Sequence, residues 1–287
     1  KDIDQGLQGL LYFGPVNVMI NTWGNFPHAK AIFACIADVG RVDFATAQKI
    51  EARYFLSLMR SKVAKNMIST FFFQLNALEK GASRPSFDAI PKTDCKKLGI
   101  LGAGMMGAGI AYVSAKAGMQ VVLLDTEIEG ARRGKAYSEG LLNKAIGRGY
   151  STQEKADALL SLIHPTTDYD DLEGCELIIE AVFENRDIKA AVTAKTEAVI
   201  PKTAIFASNT STLPITGLAE ASKRPESFIG LHFFSPVDKM PLVELIKGEK
   251  SSDEAIARGL DYIQQIRKTP IVVNDSPGFY TSRCFST

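Results

Sequence analysis

The sequence predicts an α/β fold: a doubly wound, mostly parallel sheet preceded by a mainly helical segment. Three observations predict it. After Lys97, short apolar runs alternate with helical stretches. Those runs are continuous, as in strands covered on both faces. Before Gly81, apolar residues recur instead at three- and four-residue spacing. The 287 residues, 46% hydrophobic and 23% charged, suffice for one large domain or two ordinary ones of about 150 residues. Lys and Arg number 33 against 32 Asp and Glu, and this balance argues against nucleic acid as the main partner.

Taken in order, the run from Asp43 to Lys80 reads as helix through Phe55, Leu58, Met59, Val63, Met67 and Ile68. Phe71, Phe72 and Phe73 place aromatics nearly all round one turn, which calls for neighbours on several sides, and Gly81 supplies the stop. Residues 81–96, with Gly81, Ser83, Pro85, Pro91 and several lysines, read as a linker. Strands are then expected over Leu98 to Leu101, Val121 to Asp125, Leu177 to Val182, Ala204 to Ser208, Phe228 to Phe233, Leu242 to Lys247 and Ile271 to Val273. Helices are expected over Met105 to Ala117, Glu127 to Arg148, Thr152 to Leu162, Asp187 to Val199 and Asp253 to Arg267.

Cys35, Cys95, Cys175 and Cys284 form no C-x-x-C pair and adjoin no His at zinc spacing. Reduced, mostly buried thiols in a cytosol-like compartment are expected, and no metal. The longest apolar stretch, Leu7 to Ile20, is broken by Gly14, Pro15 and Asn17 and is too short to span a bilayer. The chain starts without Met and stops just after an apparent helix start, so it reads as a piece of a longer protein.

The first strand runs straight into Gly102-Ala103-Gly104-Met105-Met106-Gly107 and a helix. A dinucleotide pyrophosphate needs this order: Gly102 for the turn, Gly104 for backbone approach, Gly107 for close helix packing, and a helix N-terminus facing the anion. Asp125 ends the next strand 18 positions after Gly107, near the spacing of an acid that binds ribose hydroxyls. Its charge repels a 2′-phosphate, so NAD is favoured over NADP in a Rossmann-like domain. Arg132 and Arg133 read as a solvated helix face. Further strand ends carry Glu180 to Asn185 with Lys189 one turn on, Ser208 to Ser211, and His232 to Pro236. Asn185 and Asn209 read almost equally well as helix caps.

Of the three histidines, His28 and His164 adjoin proline-marked turns without nearby acids and read as surface or structural residues. His232 differs. If FIGLHFF and LVELIKG fold back about Asp238, His232 and Glu244, six positions to either side, face each other. An imidazole oriented by a carboxylate is a general base, and beside a nucleotide site it points to dehydrogenation of an alcohol.

From about Lys97 to Thr287 the chain resembles the NAD-dependent L-3-hydroxyacyl-CoA dehydrogenases. The motifs IIEAVFEN, IFASNTSTLPI, IGLHFFSPVDKMPLVE and PGFYTSR are similar to the dehydrogenase part of the multifunctional fatty-acid oxidation complex α subunit. More weakly, Asn25 to Lys80 resembles the end of the enoyl-CoA hydratase/isomerase domain that precedes it. The resemblance implies four parts: a hydratase remnant over 1–80, the linker, an NAD-binding domain over 97–276, and the start of a helical domain over 277–287. It implies His232 as base, Glu244 as its partner and Ser211 as donor to the substrate oxygen. NAD contacts are implied at Gly102, Gly104, Met106, Gly107, Asp125, Ala181, Val182, Phe183, Glu184, Lys189, Ser211 and Ser235. Many relatives have Asn where this chain has Ser282, on the substrate side. An acyl-CoA substrate, a thiolase β subunit and a homo-oligomer in the full-length protein are implied, in the cytoplasm, or in mitochondria for a eukaryote. No hydratase activity is expected, and turnover is expected to be slow although NAD binds. The alternatives are a 3-hydroxybutyryl-CoA dehydrogenase and a non-catalytic NAD-binding or interaction module.

Overall fold

The computed structural model describes residues 5–85 and 89–286. Two compact units are present, one up to Ala77 and one from Leu78 onward. The first is helical: α1 (Gln5–Thr22), α2 (Pro27–Val39), α3 (Phe44–Met59), α4 (Lys62–Ile68) and a π-helical turn over Ser69–Gln74, followed by α5 (Leu75–Glu79), which spans the boundary. The helix expected from Asp43 to Lys80 is therefore broken. Asp43 caps α3 by accepting the Thr46 N–H at 3.1 Å, and Ser61 starts α4 in the same way, accepting the Ala64 N–H at 3.1 Å. A serine at the end of a turn competes for backbone donors and restarts the helix. Phe71, Phe72 and Phe73 fall in the π-helical turn and are exposed, so the described residues do not supply the neighbours expected for them.

The second unit carries, in order, β1 (Lys97–Leu101), α6 (Met105–Lys116), β2 (Gln120–Leu124), α7 (Ile128–Gly147), α8 (Gln153–Ser161), β3 (Ile163–Thr166) and β4 (Leu177–Glu180). It continues with α9 (Arg186–Glu197), β5 (Ile205–Ser208), α10 (Ile215–Ala219), β6 (Phe228–Phe233), β7 (Leu242–Lys247), α11 (Asp253–Gln265), β8 (Thr269–Asn274) and α12 (Thr281–Ser286). The sheet order is β3-β2-β1-β4-β5-β6-β7-β8, parallel throughout except for the β6–β7 pair. The chain reverses direction across the sheet between β1 and β4, and a ligand crevice opens at such a point beyond the strand ends.

Both faces of the sheet are covered. Leu98, Ile100, Leu123 and Ile179 pack with Ile110, Ala131 and Ile256 from α6, α7 and α11. Leu101, Val122, Ile178 and Phe206 pack on the other face with Leu218 of α10, and Phe206 stacks on Phe228. The strand missed by sequence is β3. Its four residues include His164 and Pro165, and an edge position tolerates a proline that a central strand would not. His164 is not without acids, as expected, but lies 3.4 Å from Asp171 and stays largely exposed. Nor are the cysteines mostly buried: Cys175 alone is, while Cys35 and Cys95 are half-buried and Cys284 is exposed.

Part of the stretch read as a linker is fixed to α11. Arg84, buried, donates to both carboxylate oxygens of Asp261 at 2.9 and 3.1 Å and to the carbonyls of Ile90 and Pro91. Thr93 adds its N–H to Asp261, and the Cys95 backbone pairs twice with the Gln265 amide. None of the described helices is long and apolar enough to cross a membrane.

Candidate active site

The loop from β1 to α6 has the local structure its glycines foresee. Gly102 adopts φ 94°, and a Cβ there would sit 2.8 Å from the Ala181 carbonyl oxygen. Gly107 lies so close to the loop that a Cβ would fall 1.8 Å from the Gly102 oxygen. At Gly104 a Cβ would meet nothing within 4 Å, and this residue N-caps α6 without any side-chain acceptor. An open, uncapped helix start suits a pyrophosphate. Asp125 directly follows β2, accepting the Ala103 N–H at 2.7 Å and the Thr126 N–H. It is not the cap of α7, which begins after Glu127. Arg132 pairs with Glu129 on the exposed face of that helix, and Arg133 is exposed too. Gly107→Ala is expected to push α6 off the loop, costing roughly 1–3 kcal/mol in urea unfolding and weakening NADH binding in a fluorescence titration. Unchanged affinity would contradict the assignment.

The end of β4 anchors a second wall. Glu180, almost fully buried, accepts from the Lys189 ammonium at 2.8 and 3.0 Å, the Ser208 hydroxyl at 2.7 Å and the Val182 N–H at 2.8 Å. Lys189 is buried as well and also lies 3.3 Å from Glu184. Glu184 in turn accepts the Thr210 hydroxyl, the Ser211 N–H at 3.0 Å and the Thr212 N–H. Burial pushes its carboxyl up, but the Thr210 hydroxyl and the Lys189 ammonium outweigh that, so it titrates below the usual carboxylate range. Lys189 and Glu184 thus hold the loop carrying Ser211, while Phe183 projects into solvent. Asn185 caps α9. Asn209 does not cap a helix; it bridges β5 and β6, accepting the Phe233 N–H at 2.9 Å.

The fold-back read from sequence is present, with His232 opposite Glu244 in the β6–β7 pair. The imidazole Nδ1 lies 2.6 Å from Glu244 Oε2; His232 is 5% exposed and Glu244 0%. A buried carboxylate on Nδ1 selects the tautomer whose Nε2 lone pair faces away from it. Burial raises the Glu244 carboxyl, but hydrogen bonds from His232 and from the N–H and hydroxyl of Thr281 more than offset this and hold it below the usual range. The stabilisation it contributes is therefore complete above the ordinary carboxylate range and is lost as pH falls through the lowered value. The rings of Phe234 and Phe279 lie 4.5 and 6.0 Å from the imidazole.

These parts converge on one cavity of about 360 Å³ lined by Met105, Met106, Ala181, Val182, Asn209, Ser211, His232, Phe233, Phe234 and Ser235. Ser235 sits against Met105, 3.6 Å from its sulfur. Of the expected site residues, Gly102, Gly104, Gly107, Asp125, Phe183, Glu184, Lys189, Glu244 and Ser282 lie outside this lining; the Ser282 hydroxyl reaches the Ser211 carbonyl at 3.5 Å. Thr210 and Thr281 lie within the named stretches IFASNTSTLPI and PGFYTSR, but the sequence alone assigns neither hydroxyl an individual role. Among the described residues no group of three His, Cys, Asp or Glu side chains gathers as metal ligands.

A family profile described as "3-hydroxyacyl-CoA dehydrogenase, NAD binding domain" matches residues 97–276. The fatty acid oxidation complex subunit alpha of Pseudomonas savastanoi pv. phaseolicola is 41% identical over 259 residues, covering 90% of this chain and 35% of its own length. The counterpart from Pseudomonas aeruginosa is 40% identical over 259 residues, covering 90% and 36%. The chain thus spans about a third of the length of these curated relatives. Among solved structures, (S)-3-hydroxybutyryl-CoA dehydrogenase PaaH1 from Ralstonia eutropha is similar with a TM-score of 0.65 and 38% identity, covering 67% of this chain and 68% of that one. The 3-hydroxybutyryl-CoA dehydrogenase of Escherichia coli K12 aligns with a TM-score of 0.62 and 34% identity, covering 65% and 39%.

Proposed function

The chain belongs to the family of 3-hydroxyacyl-CoA dehydrogenase NAD-binding domains, and from that membership we propose that it oxidises an L-3-hydroxyacyl-CoA to the 3-ketoacyl-CoA in fatty-acid β-oxidation. The observation that carries this reading is that His232, backed by the buried Glu244, lines the same cavity as Met105 and Met106 at the start of α6. The glycine loop and Asp125 would hold NAD, which when bound would supply the acceptor for the hydride leaving the carbinol carbon. His232 Nε2 takes the hydroxyl proton, Glu244 stabilises the imidazolium that results, and the Ser211 hydroxyl donates to the substrate oxygen. Ala181 to Glu184, Lys189 and Ser235 shape the nicotinamide end, and Ser282 borders the substrate side through Ser211.

Slow turnover despite NAD binding is part of the reading. So are a cytoplasmic setting, a thiolase-type β subunit and a second copy as partners, supported by relatives named as the α subunit of a complex. Competitive titration of bound NADH with NADPH tests the cofactor assignment. NADH is expected to bind more tightly, and Asp125→Ala to narrow the gap; tighter NADPH binding by the wild type would overturn the role given to Asp125.

A further inference from the structure

Glu244 has more donors than the imidazole. Its Oε2 accepts from His232 at 2.6 Å and from the Thr281 hydroxyl at 2.9 Å; its Oε1 accepts the Thr281 N–H at 2.9 Å and the Tyr280 N–H at 3.3 Å. An ionised carboxylate is acceptor-only, so this set fixes both its charge and its plane. The donors come from a segment distant in sequence from β7. Phe279, buried at φ 49°, lays its ring near His232 and delivers Tyr280 and Thr281 to the carboxylate at the start of α12. Among the described residues the titratable side chain hydrogen bonded to Glu244 is His232, from β6. On the other side β8 sets Ile271 opposite, and α12 contributes the Thr281 donors.

We propose that Thr281 is a positioning residue for the proton transfer: its hydroxyl and N–H hold Glu244 in the orientation that aligns His232 with the cavity. The proposal deepens the dehydrogenase reading and rests on it for the catalytic consequence, but not for the contact itself. The hydroxyl shares Oε2 with the imidazole, so removing it leaves the carboxylate held on that oxygen by His232 alone. The carboxylate then turns more freely about its last side-chain bond, and its carboxyl titrates higher.

The test uses the whole chain with 13C-labelled glutamate carboxyls, the Glu244 resonance being assigned with Glu244→Gln. Thr281→Val, which removes the hydroxyl while keeping the shape, is expected to move the Glu244 titration midpoint upward. It is also expected to lower kcat for acetoacetyl-CoA reduction about tenfold, the scale of one hydrogen bond to a charged group, with KM and NADH affinity unchanged. Thr281→Ser is expected to restore both values. An unmoved Glu244 midpoint in Thr281→Val, or a Thr281→Ser midpoint equal to that of the valine variant, would overturn the proposal. If the midpoint moves while His232→Gln keeps full activity, the contact stands and the dehydrogenase reading fails.

Discussion

Replacing His232 with glutamine is expected to lower the rate of acetoacetyl-CoA reduction by about 10²–10⁴-fold, the range for loss of a positioned acid–base group, while NADH binds as before. On the proposed function, the imidazolium would give up in the reducing direction the proton that the imidazole takes during oxidation, so one residue would serve both ways. The side chain is 5% exposed, with Nδ1 committed to Glu244, and Nε2 remains as the nitrogen able to meet substrate. Glutamine keeps a polar group beside the buried carboxylate, which limits the penalty for stranding an acceptor there. The glycine loop between β1 and α6, and Asp125 directly after β2, lie apart from the β6–β7 pair, and so should be undisturbed. Steady-state rates and NADH titration on the same preparation check both halves. A retained rate, or a joint loss of rate and binding, would go against the assignment.

Removing Glu180 is expected to have the largest effect on stability. Glu180→Leu withdraws from Lys189 its shorter-range partner in a site where both side chains are buried. Breaking a buried pair in this way costs about 3–5 kcal/mol. It also strands the Ser208 hydroxyl and the Val182 N–H. The double replacement Glu180→Leu with Lys189→Met is expected to recover much of the loss, because two apolar groups need no partner. Urea unfolding followed by far-ultraviolet circular dichroism measures both. The single tryptophan, Trp23, belongs to the helical unit and would not report on the sheet. A loss below about 1 kcal/mol, the range of exposed ion pairs, would mean that the pair does not carry the β4 end as described.

The sequence made the sheet legible where strands are continuous and apolar, from Leu98 to Phe233, because burial on both faces leaves little room for polar residues. It missed β3 because four edge residues containing Pro165 carry no such signature. The long helix failed at Ser61 for a local reason: capping chemistry there outweighed apolar spacing that continued unbroken. Of the site, the glycine loop, Asp125 and the His232–Glu244 register could be read because each rests on spacing within one or two adjacent elements. The roles of Lys189, Asn209 and Thr281 could not. Their partners lie on other elements, and whether a polar side chain meets a ligand or a buried carboxylate depends on packing that spacing does not encode.

The proposed function requires the reacting ends of NAD and a 3-hydroxyacyl-CoA to meet at the cavity that His232 lines, so that the imidazole moves the proton. In a single-turnover experiment the chain in excess, loaded with NADH, is mixed with acetoacetyl-CoA and the loss of NADH absorbance is followed. Stoichiometric oxidation of the bound NADH is the predicted result, even if repeated turnover is slow. NADH that stays bound and unoxidised at every acetoacetyl-CoA concentration would contradict it.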